Sequence, residues 1–140
     1  MNSHPILLPM ITLVAWTFAI LLIIPFRRFR GVFRGDVTAE DFRLGESANV
    51  PAEISLPNRN YMSLLELPLL FYVVILAQYV TQTDTSVTVD LCWTYVGLRV
   101  LHSLVHLTYN HVLHRFTVFA LSNVVLLIIW VLFSVAVITI

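Results

Sequence analysis

The chain contains no lysine and one cysteine, and only 11% of its 140 residues are charged. A water-soluble domain coats itself with about 25% charged side chains, so this composition excludes an ordinary soluble surface. The lone Cys92 excludes an internal disulfide, and within an apolar segment it reads as a small packing residue. Eight arginines balance eight acids, for a formal net charge of zero. No global basic field awaits nucleic acid, and no nucleic-acid-binding motif is present. Internal repeats and low-complexity tracts are also lacking.

What the chain has in quantity is hydrophobicity: 59% of its residues are apolar, with a mean hydropathy of +0.87. Four long apolar runs cover residues 5–26, 61–80, 87–109 and 116–140. The first and last carry no charge, the second carries Glu66, and the third carries Asp90 and Arg99. Each reaches the roughly 20 residues that span a hydrocarbon core as helix. The expectation is an all-α integral membrane protein, a single domain over residues 1–140. Its four antiparallel transmembrane helices would lie at about 5–28, 58–81, 86–112 and 116–139, with a loop at about 29–57.

The start "MNSHP" has no Arg or Lys, and "FRRFR" follows the first run. That order differs from a cleaved signal, so the first run is expected to stay as a helix. Arg27, Arg28, Arg30, Arg34, Arg43 and Arg59 lie between the first and second runs, and Arg115 between the third and fourth. The positive-inside rule then makes that face cytoplasmic and both termini non-cytoplasmic. Within the long loop, "RRFRGVFRGD" is basic and amphipathic and is expected to lie along the lipid headgroups. Pro57-Asn58 offers a start for the second helix.

The stretch "LRVLHSLVHLTYN" places Arg99, His102, His106 and Asn110 in an apolar run. Arg99 lies roughly 15 Å inside the expected cytoplasmic end of its helix. An arginine at that depth costs at least ~2.5 kcal/mol on insertion scales. Tyr95, Arg99, His102, Ser103, His106 and Asn110 fall within about 80° of helical arc, so this face should point into a bundle. The second helix has a matching stripe of Arg59, Ser63 and Glu66 at i, i+4 and i+7. Glu66 needs a cation, with Arg99 or Arg59 the candidates. Interhelical glue is the plain alternative for any one of these residues. His102 and His106, with His111 and His114 nearby, also raise metal or haem ligation. No Cys, Asp or Glu at metal spacing accompanies them, and no metal site is expected.

These residues resemble the MAPEG superfamily, membrane-associated proteins in eicosanoid and glutathione metabolism. The likeness covers essentially the whole chain. On the second helix, Arg59 and Glu66 match the family spacing, Ser63 stands where asparagine is usual, and Pro68 comes one residue early. On the third, Arg99 and His102 match R-x-x-H/Y-x-x-x-Y, with His106 replacing the tyrosine. Arg115 falls at the spacing of the prostaglandin-forming members, and "ELPLLFY" looks most like a bacterial branch.

The resemblance implies a homotrimer with glutathione as thiol co-substrate between neighbouring subunits, open to the cytoplasm. Arg59, Ser63 and Glu66 would hold its charged ends, and Arg99, His102 and His106 would contact it from the third helix. Arg115 would face the sulfur as the catalytic cation, and one of Arg28 or Arg30 would join the binding set. Several arginines and one glutamate complement glutathione's two carboxylates and ammonium. A cation beside a thiol of ordinary pKa near 8.5 favours the nucleophilic thiolate. A hydrophobic small-molecule substrate would enter from the bilayer. The expected activity is a thiol transferase or peroxidase acting on hydrophobic electrophiles or lipid hydroperoxides, in a bacterial inner membrane. The rival expectation is a non-catalytic scaffold or lipid-binding protein of the same family.

Overall fold

In the computed structural model, residues 5–139 are described; most of "MNSHP" and the final Ile140 lie outside them. Helix α1 runs Leu7–Arg34, α2 Ala52–Leu65, α3 Pro68–Thr81, α4 Ser86–Leu107 and α5 Val112–Ile138. No strand occurs among the described residues. Helix α1 is 28 residues long, about 42 Å at the helical rise. It stops at Gly35, whose φ of 76° suits glycine and whose N–H caps Gly31 and Val32 carbonyls.

The following loop carries one short 3-10 turn, Ala39–Phe42, closed by reciprocal Thr38 and Asp41 side-chain bonds. The Asp41 carboxylate accepts from the Thr38 backbone N–H, the Ser47 hydroxyl and the Thr38 hydroxyl. Those bonds, the backbone one first, hold its pKa below the usual carboxylate range. The loop is therefore ordered by its own polar groups.

The second span differs from its expected form. It starts at Ala52, not near residue 58, because Pro57 is accommodated in its second turn. A proline there frees only the Glu53 carbonyl, on an exposed residue. The same span then breaks at Glu66, where ψ is −92°. Pro68 has no N–H for the Leu64 carbonyl, and it restarts the chain in the first turn of α3.

Helix α4 ends at Leu107 and α5 begins at Val112, so the turn between them falls earlier than expected. Asn110 lies in that turn at φ 47°, donating its N–H to the Val105 carbonyl at 2.8 Å. It therefore leaves the helical stripe to which its spacing had assigned it.

The segments Leu7–Arg34, Ala52–Thr81 (counted across the break) and Val112–Ile138 are long and apolar enough to cross a membrane. Helix α4 has 22 residues, about 33 Å, but buries Arg99, His102, Ser103 and His106. Its polar face turns inward, and its most extensive neighbour is α5. Helix α1 lies chiefly against α2. The core is made by Leu13 and Ile20 of α1, Leu64 of α2, Phe71 and Ile75 of α3, Tyr95 of α4 and Ile129 of α5. Phe71 and Tyr95 stack with centroids 4.4 Å apart.

Candidate functional site

The break in the second span explains the position of the deepest charge. Around it the backbone ladder runs from Glu66 N–H to the Met62 carbonyl and from Leu69 N–H to the Glu66 carbonyl. The Ser63 carbonyl is passed over. Arg99, 0% exposed, fills that vacancy: its Nη2 donates to the Ser63 carbonyl and to Ser63 Oγ at 3.2 Å. A cation at the partially negative end of a helix is favourable. One guanidinium thus satisfies a carbonyl that the hydrocarbon core would otherwise strand.

The expected ion pair between Arg99 and Glu66 does not form, and Glu66 makes no ion pair with Arg59 either, among the described residues. Glu66 sits at the break with its side chain on the outside of the bundle, as does Arg59. Glu66 stays within electrostatic reach of Arg99, and Arg59 within reach of His106. Charge complementarity suggested a direct pair; the local backbone gave Arg99 a nearer acceptor.

Beside this contact lies a cavity of about 320 Å³ lined by Ser63, His102, His106 and Arg115, with Val112, Phe116 and Phe119. The His102 and His106 rings stand 5.8 Å apart. Phe119 lies 5.7 Å from the His102 ring and 5.6 Å from the Arg99 guanidinium carbon, within cation–π range. Arg115 donates from Nη1 to Asn110 Oδ1 at 2.8 Å. That acceptor is neutral, so the contact orients the guanidinium without cancelling its charge. Arg99 Nε and Nη1 and the Nδ1 atoms of His102 and His106 are buried with no protein partner.

Ser63, Arg99, His102, His106 and Arg115 are thus brought together, and Arg59 and Glu66 are near but outside the cavity. The remaining candidates face elsewhere. Arg28 pairs with Glu46 at 3.1 Å and lies 4.6 Å over the Phe42 ring. Arg30 lines a separate cavity with Arg27 and Arg34. Two further site residues escaped the sequence reading. Asn60 is 0% exposed and accepts from Ser103 Oγ at 3.1 Å, joining α2 to α4. Pro57, Asn60 and Leu64 are all buried, and their i, i+3, i+7 spacing was the available signal. Phe119 follows Arg115 by four residues and precedes the buried Ser122, Leu126 and Ile129, the inward line of α5.

No group of three or more His, Cys, Asp or Glu that could hold a metal ion occurs among the described residues. The His111 and His114 rings lie with centroids 4.5 Å apart at a tilt of 41°, and His114 Nδ1 lies 3.2 Å from the Tyr109 hydroxyl.

Fold and site define a class: an integral membrane helical bundle whose polar helix faces a cationic, partly aromatic cavity. The sequence matches the MAPEG family over residues 6–135, and the chain belongs to that family. No curated protein and no solved structure matches it.

Proposed function

We propose that this protein is a transferase or peroxidase using glutathione, or a related low-molecular-weight thiol, against hydrophobic electrophiles or lipid hydroperoxides. The observation that carries the reading is the cavity itself. It is lined by His102 and His106 of α4 and by Arg115, Val112, Phe116 and Phe119 of α5. A thiol held there would meet a cation and an apolar partner in one volume, within a membrane bundle.

The unpartnered polar atoms suit such a ligand. Arg99 is fully buried against the cavity-lining Ser63 and Phe119, and its charge there favours a carboxylate bound in the cavity. The histidine rings have nitrogens to donate or accept. Arg115, bound only by a neutral amide oxygen, keeps its charge for a thiolate, lowering the thiol pKa from about 8.5. The thiolate then attacks an electrophilic carbon and displaces its leaving group. With a hydroperoxide it takes the distal oxygen, and a second thiol completes reduction to alcohol, water and disulfide. Arg59 and Glu66, on the outer side of α2, reach a bound peptide only if a neighbouring copy closes over them. The reading therefore includes a homotrimer with its thiol between subunits. The arginine-bearing connections would face the cytoplasm of a bacterial inner membrane, with both termini on the other side.

Replacing Arg115 with alanine tests the assignment. Thiolate absorbance on adding glutathione to the purified protein should vanish, and conjugation should fall about 100-fold, with the oligomer intact. Undiminished absorbance in the variant would remove Arg115 from the role.

One observation favours a second reading, a non-catalytic scaffold or lipid-binding protein. Arg99 is already used to join α4 to the broken α2, as a structural arginine would be. Calorimetric titration of glutathione into the detergent-solubilised protein separates the two, since the scaffold predicts no heat of binding.

A further inference from the structure

The basic end of α1 has two arginine-bearing sides, and only one is neutralised within the chain. Arg28 is held by Glu46 and Phe42. Arg27, Arg30 and Arg34, at i, i+3 and i+7, share the other side. They line a cavity of about 200 Å³ together with Asp36, Glu53 and Ile54. Gly31 lines the same cavity. It is buried in the same helix face, and a Cβ added there would overlap the Ile54 side chain. The close approach of α1 and α2 at that glycine sets the arginines opposite the start of α2.

The charges of this cavity are mixed yet unpaired. None of Arg27, Arg30 and Arg34 makes an ion pair with Asp36 or Glu53, among the described residues. Three guanidinium forks suit phosphate oxygens, and the start of α2 adds the positive end of a helix dipole. Two carboxylates in the same cavity suit an ammonium group. At about 30 Å³ per water, the volume holds a compact headgroup but no acyl chain. Its place, where a membrane-crossing helix becomes a polar loop, is headgroup depth.

We propose that this cavity binds a phosphate ester bearing a primary amine, a headgroup of the phosphoethanolamine kind. Arg27, Arg30 and Arg34 take the phosphate, and Asp36 and Glu53 take the ammonium. The site is separate from the His102–Arg115 cavity and does not rest on thiol chemistry there.

Native mass spectrometry of the full-length protein in detergent reads the test directly. Phosphatidylethanolamine, phosphatidylglycerol and phosphatidylcholine with identical acyl chains are offered in turn. Wild type should retain phosphatidylethanolamine best. The double variant Arg27→Gln with Arg34→Gln should weaken that retention about tenfold. Asp36→Asn with Glu53→Gln should erase the preference over phosphatidylglycerol while keeping phosphatidylglycerol bound. Arg43→Gln, which removes a charge paired with Glu40 elsewhere in the loop, should change nothing. Soluble phosphoethanolamine added as competitor should displace the lipid, and failure to displace overturns the headgroup assignment. Phosphoethanolamine retained on lipid-free protein assigns the source to a soluble ester, and retention of the lipid alone assigns it to the bilayer. Equal retention of all three lipids by wild type overturns the headgroup assignment, as does an Arg43→Gln loss matching that of the double variant.

Discussion

Helices α4 and α5 pack against each other more extensively than any other pair, yet they solve the membrane in opposite ways. Helix α4 buries Thr88, Arg99, His102, Ser103 and His106 with its apolar residues. Helix α5, five residues longer, buries only Ser122, Leu126 and Ile129 and presents Leu127, Val131, Val135 and their neighbours outward. Polarity within a span is tolerated when it faces other helices, and apolarity all round marks the helix that meets lipid. Composition alone ranks α5 as a membrane span and leaves α4 out. Position in the bundle reverses their importance for chemistry.

The sharpest way to break this contrast is to exchange the helices' habits. An arginine in place of Leu127, 63% exposed on α5, should cost about 3 kcal/mol of insertion free energy. The protein recovered in alkali-washed membranes should fall steeply. Recovery equal to wild type would mean that α5 does not face acyl chains, since the same residue type is housed on α4 at position 99.

The reverse exchange, Arg99→Met, removes the donor from the Ser63 carbonyl. Leaving that group without a partner should lower stability by about 2 kcal/mol, read as a lower midpoint of unfolding in detergent. An unchanged midpoint would show that the break at Pro68 needs no cap. Smaller still is Ser103→Ala, which strands Asn60 Oδ1 and should cost about 1 kcal/mol on the same scale. A double variant with Asn60→Leu should recover part of that loss.

The mildest change falls outside both helices, in the loop. The Asp41 pKa is lowered from 3.8 by its bonds to Thr38 and Ser47. A group whose folded value lies below its unfolded one stabilises above 3.8, and loses that effect as pH falls through the folded value. Amide exchange around Thr38 and Ser47 should therefore quicken in Asp41→Ala at neutral pH. Wild type should approach the variant only in acid. Rates that match at neutral pH would detach the loop's order from this carboxylate.

Much of the site was readable from spacing. Arg99, His102 and His106 recur at helical intervals, and the cost of placing them toward lipid is large enough to force that face inward. Arg115 was readable as a cation at the end of a span. Asn110 was misread because the helix ends at Leu107 and Asn110 itself takes a left-handed turn conformation, and helical periodicity has no meaning past that turn. Glu66 was misread because pairing by charge ignores the Ser63 carbonyl that the backbone break at Glu66 leaves open for Arg99. Arg28 and Arg30 lay on one short basic run, and nothing in its order told that their side chains divide between two surroundings.

Three long apolar spans, the concentration of arginine at one end and the polar stripe of α4 were determined by the sequence itself. These follow from transfer free energies that add residue by residue and need no knowledge of neighbours. Tertiary structure alone decided which acceptor Arg99 takes, which side chains share the cavity with Arg115, and which of the α1 arginines stay unpaired. Such choices depend on backbone geometry between residues as distant as Ser63 and Arg99, 36 positions apart. There the nearest acceptor prevails over the most complementary charge.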